Sequence, residues 1–89
     1  MDQTRGHGKT TELKDFLSSK VVKRSVSISG HLTSVSLEQP FWDELNRLAK
    51  QDGLSLSALI NLIDKERSTN LSSALRLYVL FILSHSVDD

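Results

Sequence analysis

Residues 33–37 alternate apolar and small polar side chains with a period of two, which predicts a β-strand. Successive side chains of a strand point to opposite faces. The face that packs on a core is expected to carry Thr33, Val35 and Leu37. The opposite face is expected to carry Leu32, Ser34 and Ser36. Gly30 interrupts the alternation, so residues 26–28 form a separate strand, a hairpin partner or an extended lead-in, and the sequence does not decide among these.

The spacing of apolar residues becomes helical between Glu38 and Gly53. Pro40 suits the first turn of this helix, and Gly53 suits its end because glycine readily adopts the left-handed conformation. A second helix is predicted from Ser55, a natural N-cap residue, to about Arg67. The apolar stripe of the first helix consists of Phe41, Trp42, Leu45, Leu48 and Ala49.

The segment 71–83 is apolar on nearly every side. Its thirteen residues include Arg76 and are too few to cross about 30 Å of hydrocarbon, so a membrane span is not expected. A helix is favoured here over a β-strand, although residues 78–82 also have strong strand propensity. A small chain has little core with which to surround such a helix, so a partner subunit is expected to cover part of it.

Composition and charge restrict the function. The 89 residues make one small domain with no net charge and no cysteine, which excludes disulfides, thiolate zinc sites and a cysteine nucleophile. Residues 1–30 carry six basic and three acidic side chains, and residues 31–89 carry five and eight. We therefore expect a flexible basic arm over residues 1–22 and a folded domain over residues 23–89. The first residues lack the apolar core of a secretory signal, so the expected location is cytoplasmic.

A single strand leaves its backbone N–H and C=O groups without partners, and the same strand of a second copy can supply them. The predicted fold is therefore mainly α with one short β-strand, assembled as an intertwined homodimer around a two-stranded antiparallel ribbon, with an extra C-terminal helix. Such a ribbon has the width to enter the major groove of B-DNA.

Three strings of this sequence resemble the ribbon-helix-helix (Arc/MetJ-type) DNA-binding proteins over roughly residues 23–83. They are the strand at residues 33–38, the helix at residues 41–49 and the Gly53-Leu54-Ser55-Leu56-Ser57 element. The sequence is most similar to a bacterial subgroup in which Arg-Ser-Val-x-Ile-x-Gly-His-x-Thr-Ser precedes the strand and Asn-Leu-Ser-Ser-Ala-Leu-Arg follows the second helix. These strings stand here at residues 24–34 and 70–76.

The resemblance implies a set of DNA contacts. Outward strand residues of such proteins face base edges, and here these are Leu32, Ser34 and Ser36. The start of the second helix holds a phosphate through backbone N–H groups and a capping hydroxyl, and here it consists of Ser55, Leu56 and Ser57. Lys23 and Arg24 precede the strand and are placed to reach the DNA backbone or an adjacent groove. Family members often present longer polar side chains outward, so modest sequence discrimination is expected from two serines and a leucine.

The function predicted from these features is a sequence-specific DNA-binding transcriptional regulator, acting as a repressor or autorepressor. The alternative is a protein-interaction or antitoxin-like module whose apolar C-terminal helix binds another protein. The expected partners are double-stranded DNA, a second copy of the chain with a higher oligomer left open, and a further protein in the alternative. No membrane partner, enzymatic activity, cofactor or metal is expected, because the sequence shows no nucleophile-base pair and its three histidines share no ligand spacing.

Overall fold

The computed structural model describes residues 12–86. These residues form a two-stranded antiparallel sheet and four helices. In chain order the elements are α1 (residues 12–17), β1 (Val21–Ile28), β2 (His31–Glu38), α2 (Gln39–Gln51), α3 (Leu56–Glu66) and α4 (Leu71–Ser86). Of the arm predicted over residues 1–22, residues 1–11 lie outside the described part of the chain.

The two strands form a hairpin within one chain, with Val21 opposite Glu38 and Ile28 opposite His31. Ser29 and Gly30 make the turn with φ values of 51° and 85°. Positive φ at both central residues is what a type I′ turn requires, and such turns match the twist of the flanking strands. The expectation of one short strand is corrected here, because residues 21–28 are the hairpin partner and supply one of the two ladders that β2 can make.

Local signals set the helix ends as the sequence predicts. Gly53 has a φ of 70°, and the N–H of Leu54 donates to the carbonyl of Ala49 at 2.8 Å after α2 ends. The Ser55 side chain caps α3 by accepting a hydrogen bond from the N–H of Ala58 at 3.0 Å. The last segment is a helix, which confirms the helical alternative over the strand.

The core lies between one face of the hairpin and the three long helices. Trp42 is fully buried, and its Nε1 donates to the carbonyl of Val22 at 2.9 Å, so α2 is tied to β1. Leu37 of β2, Ile60 of α3 and Leu75 of α4 are also fully buried. Every long element therefore contributes at least one side chain to one common core.

Only one side of α4 is buried in the chain. Leu75 and Val79 belong to the core, whereas Leu77, Leu80 and Phe81 are more than half exposed. Within residues 12–86, the structure contains no helix that is both long and apolar enough to span a bilayer. The exposed side of α4 is the apolar surface for which the sequence predicts a partner.

Candidate nucleic-acid interface

The hairpin has an inner face on the core and an opposite face in solvent. Val26, Val35 and Leu37 point inward and are buried, whereas Thr33, which the alternation also assigns to the inner face of β2, is exposed. We define the outer face as Lys23, Ser25 and Ser27 of β1 together with Leu32, Ser34 and Ser36 of β2. In the register these six residues form three cross-strand pairs, Lys23 with Ser36, Ser25 with Ser34, and Ser27 with Leu32.

The outer face is exposed and built from short side chains. Leu32 is 79% exposed, Ser34 is exposed and Ser36 is half-buried. The structure thus places the three predicted base-contacting residues of β2 on one surface. Small hydroxyl groups on a strand surface allow another molecule to approach the backbone closely, and they can donate or accept hydrogen bonds.

One edge of β2 has no partner among residues 12–86. In a hairpin the residues beside a two-residue turn exchange hydrogen bonds with each other, and bonded pairs then alternate along the ladder. The N–H of Gln39 donates to the carbonyl of Lys20 at 3.1 Å, which fits this alternation. The backbone groups of Leu32, Ser34 and Ser36 therefore point away from β1, toward the open edge.

The edge of β1, in contrast, is covered near the turn by α3. The Asn61 side chain donates to the carbonyl of Ser27 at 2.7 Å, and the Ser57 hydroxyl donates to the same oxygen at 3.3 Å. The Asn61 Oδ1 accepts a hydrogen bond from the N–H of Ser29 at 3.0 Å. Helix α3 thus holds the turn and leaves β2 as the more accessible edge of the sheet.

The N-terminus of α3 carries the predicted phosphate-binding residues. The Ser55 hydroxyl is engaged as the N-cap, and Leu56 packs partly against the core. The backbone N–H groups of Leu56 and Ser57 have no acceptor among the described residues, as is usual for the first turn of a helix. The Ser57 side chain points to the carbonyl of Ser27, which places this helix end beside the hairpin turn.

The two basic residues of β1 lie on opposite faces. Lys23 is exposed on the outer face, and within residues 12–86 no carboxylate lies at ion-pair distance from it. Arg24 lies on the inner face, where its guanidinium carbon is 5.4 Å from the centre of the Trp42 ring. Because successive side chains of a strand point to opposite faces, Arg24 lies away from the surface that carries Lys23, and it remains exposed while it makes this cation–π contact.

Glu38 ends the hairpin and is paired with the last helix. Its carboxylate accepts a hydrogen bond from Arg76 at 3.2 Å, and the Arg76 guanidinium also lies 5.8 Å from the centre of the Phe41 ring. Hydrogen bonds from the backbone N–H of Glu38 and from Arg76 lower the pKa of the Glu38 carboxyl below its ordinary value of 4.5. This acidic residue beside the outer face is therefore ionised at neutral pH and compensated by Arg76.

Three residues that shape this surface were not predicted. Ser25 and Ser27 extend the outer face onto β1, and their alternation with Val26 and Ile28 was a usable signal. Asn61 gave no such signal, because its partners in the hairpin are more than thirty positions away in the sequence. Within residues 12–86 there is no group of three metal-ligating side chains.

A family model described as ribbon-helix-helix domain matches residues 21–83, a range that begins with the first residue of β1. The chain belongs to the ribbon-helix-helix family. Ribbon-helix-helix domains are typically DNA-binding regulators without enzymatic activity, and they generally bind DNA as dimers. The match includes the hairpin, α2, α3 and residues 71–83 of α4.

One solved structure is similar to this chain in fold and sequence. An uncharacterized protein from Bordetella pertussis Tohama I is similar to this chain with a TM-score of 0.70 and 35% sequence identity. The likeness covers 80% of this chain and 62% of that protein, so the present chain spans less than two thirds of its length. Comparison with curated proteins gives no match.

Proposed function

We propose that this protein is a homodimeric, sequence-specific DNA-binding transcriptional repressor whose dimeric β-ribbon binds in the major groove. The observation that carries the proposal is the outer face, which combines exposed hydroxyl groups, a lysine with no carboxylate partner among residues 12–86 and a strand with an open edge. A β-ribbon has the width to enter the major groove, where base edges differ between the four base pairs.

The dimer forms through β2. Its open edge presents unpaired backbone groups at Leu32, Ser34 and Ser36, which an antiparallel copy of the same strand satisfies. The edge of β1 is less suited to this pairing because α3 already covers the carbonyl of Ser27. The dimer then contains a four-stranded sheet in the order β1-β2-β2-β1, with the two copies of β2 at its centre.

The contacts are divided between base edges and phosphates. Ser34 and Ser36 bind base edges through their hydroxyl groups, and Leu32 contacts a thymine methyl group. The free N–H groups of Leu56 and Ser57, with the Ser55 cap, bind a phosphate at the positive end of α3. Arg24 supports this surface from the inner face of the hairpin. Repression results from occlusion of a promoter by the bound dimer.

A charge reversal on the outer face tests the proposal. Ser34→Asp places a carboxylate against the DNA and is expected to weaken binding at least a hundredfold. Ser68→Asp makes the same change in the exposed loop that follows the C-terminal end of α3, whereas the hairpin contacts the N-terminal half of that helix. This control is expected to change the DNA affinity less than threefold.

Fluorescence anisotropy measures both variants on a duplex selected from a random library and on a scrambled duplex. A specific dimer is expected to prefer the selected duplex by about a thousandfold or more, with affinity falling as salt rises. Equal weakening by the two variants would contradict contact through the outer face. Failure of selection to enrich any duplex would contradict the DNA-binding function itself.

The apolar side of α4 favours a second candidate function. Leu77 and Phe81 of α4 line a groove with Leu62 of α3, and all three side chains are more than half exposed. An antitoxin-like or adaptor protein would bind another protein on this surface. Leu77→Asp is then expected to abolish capture of that protein while leaving DNA affinity unchanged.

A further inference from the structure

We propose that β1 borders the DNA-binding surface and contacts the sugar-phosphate walls of the major groove, with Lys23 as its charged phosphate contact and Ser25 beside it. This inference rests on the proposed dimer and its binding of DNA through the outer face. It assigns different contacts to the two strands: β2 contacts the base edges, and β1 contacts the sugar-phosphate backbone.

The proposed four-stranded sheet is wider than the major groove. Neighbouring strands lie about 4.8 Å apart, so the two copies of β1 in the four-stranded order are separated by about 14 Å. The major groove of B-DNA is about 12 Å wide. The central pair of strands fits between the walls, and the two outer strands do not. Each copy of β1 therefore lies over a wall of the groove, where the phosphates are.

The outward side chains of β1 are suited to phosphates. Lys23 is exposed on the outer face directly opposite Ser36, and no carboxylate among residues 12–86 neutralises it. An ammonium group on a flexible stem suits a phosphate better than a base edge, because it provides charge without fixed geometry. Ser25 is exposed on the same side of the strand and supplies a hydroxyl donor.

The N-terminus of α3 lies beside the end of β1. Asn61 and Ser57 hold the carbonyl of Ser27, so the end of β1 and the N-terminus of α3 meet at the same margin of the surface. The free N–H groups of this helix end also attract anions. Two independent features suited to phosphate, Lys23 and the start of α3, therefore lie on the β1 side of the DNA-binding surface.

The salt dependence of binding tests this assignment with a mixed-sequence 24-bp duplex, for which no operator is needed. Each lost phosphate contact reduces the slope of log Kobs against log salt by about 0.9, so Lys23→Gln is expected to reduce it by about two per dimer. Lys65→Gln at the far end of α3 is the matched control and is expected to leave the slope unchanged. Lys23→Arg, which keeps the charge, is expected to retain the slope.

A gain of charge provides the opposite test. Ser25→Lys is expected to steepen the slope by about two per dimer, whereas Ser68→Lys in the loop after α3 is expected to leave it unchanged. On a selected duplex, Lys23→Gln is expected to keep the ratio of specific to non-specific affinity within twofold, because phosphates carry no sequence information.

An unchanged slope in Lys23→Gln, in a protein that still binds DNA, would overturn the role of β1 and leave the proposed function standing. A tenfold fall in the ratio of specific to non-specific affinity in Lys23→Gln would also overturn this role, because it would show that Lys23 contacts bases. Absence of any DNA binding by the unaltered protein would instead refute the proposed function, and the role of β1 with it.

Discussion

Asn61 uses its whole side-chain amide to hold the hairpin turn against α3. Its nitrogen donates to the carbonyls of Ser27 and Ser57, each at 2.7 Å, and its oxygen accepts from the N–H of Ser29 at 3.0 Å. The bonds to Ser27 and Ser29 join residues that are distant in sequence, so they fix the direction in which the hairpin leaves the helices. The outer face depends on this residue for its position.

Asn61→Ala is expected to lower the free energy of unfolding by about 1 to 3 kcal/mol, since each lost hydrogen bond is worth about 0.5 to 1.5 kcal/mol net. Chemical denaturation measures this change, and amide hydrogen exchange at Ser29 is expected to become faster. The control is Asn46→Ala, which removes one bond to the carbonyl of Trp42 within α2 and is expected to cost less than about 1 kcal/mol. Equal losses in the two variants would contradict the role given to Asn61.

At the scale of the element, the hairpin depends on a turn that its sequence does not favour. Ser29 adopts a φ of 51°, a conformation that asparagine accepts more readily than serine. Ser29 contacts Asn61 through its backbone N–H. A change of the Ser29 side chain therefore leaves this hydrogen bond in place.

Ser29→Asn is expected to raise the stability by a few tenths to about 1 kcal/mol, because Asn-Gly is strongly preferred in type I′ turns. Gly30→Ala is expected to lower it by about 1 to 2 kcal/mol, since a side chain at positive φ is strained although open space surrounds the position. Thermal unfolding followed by circular dichroism measures both. A stabilising Gly30→Ala would contradict a turn with positive φ at this position.

This turn also explains how far the sequence could predict the fold. Helices α2, α3 and α4 and strand β2 follow from local periodicity and from caps at Ser55 and Gly53, and the structure confirms them. The role of β1 remained open because Ser-Gly is a weaker turn signal than Asn-Gly and because Arg24 interrupts the apolar alternation of the inner face. Arg24 packs there on Trp42, a contact between two elements that no local pattern encodes.

For the whole molecule, the proposed dimer depends on the open edge of β2. Ser25 and Ser34 are opposite each other in the hairpin, yet their N–H groups point to different edges of the sheet. Proline at either position removes an N–H that the intrachain ladder does not use. Both substitutions therefore leave the hydrogen bonds within the hairpin intact. Only the proline at position 34 removes a hydrogen bond from a dimer joined through β2.

Ser34→Pro is expected to convert the protein from a dimer to a monomer of 10.0 kDa, because it removes a hydrogen bond between the two copies of β2 and sets its ring against the partner strand. Ser25→Pro is expected to remain a dimer. Light scattering coupled to size-exclusion chromatography distinguishes the two masses, and circular dichroism checks that both variants fold. A dimeric Ser34→Pro would rule out association through β2 and, with it, the four-stranded sheet from which the position of β1 on DNA is argued.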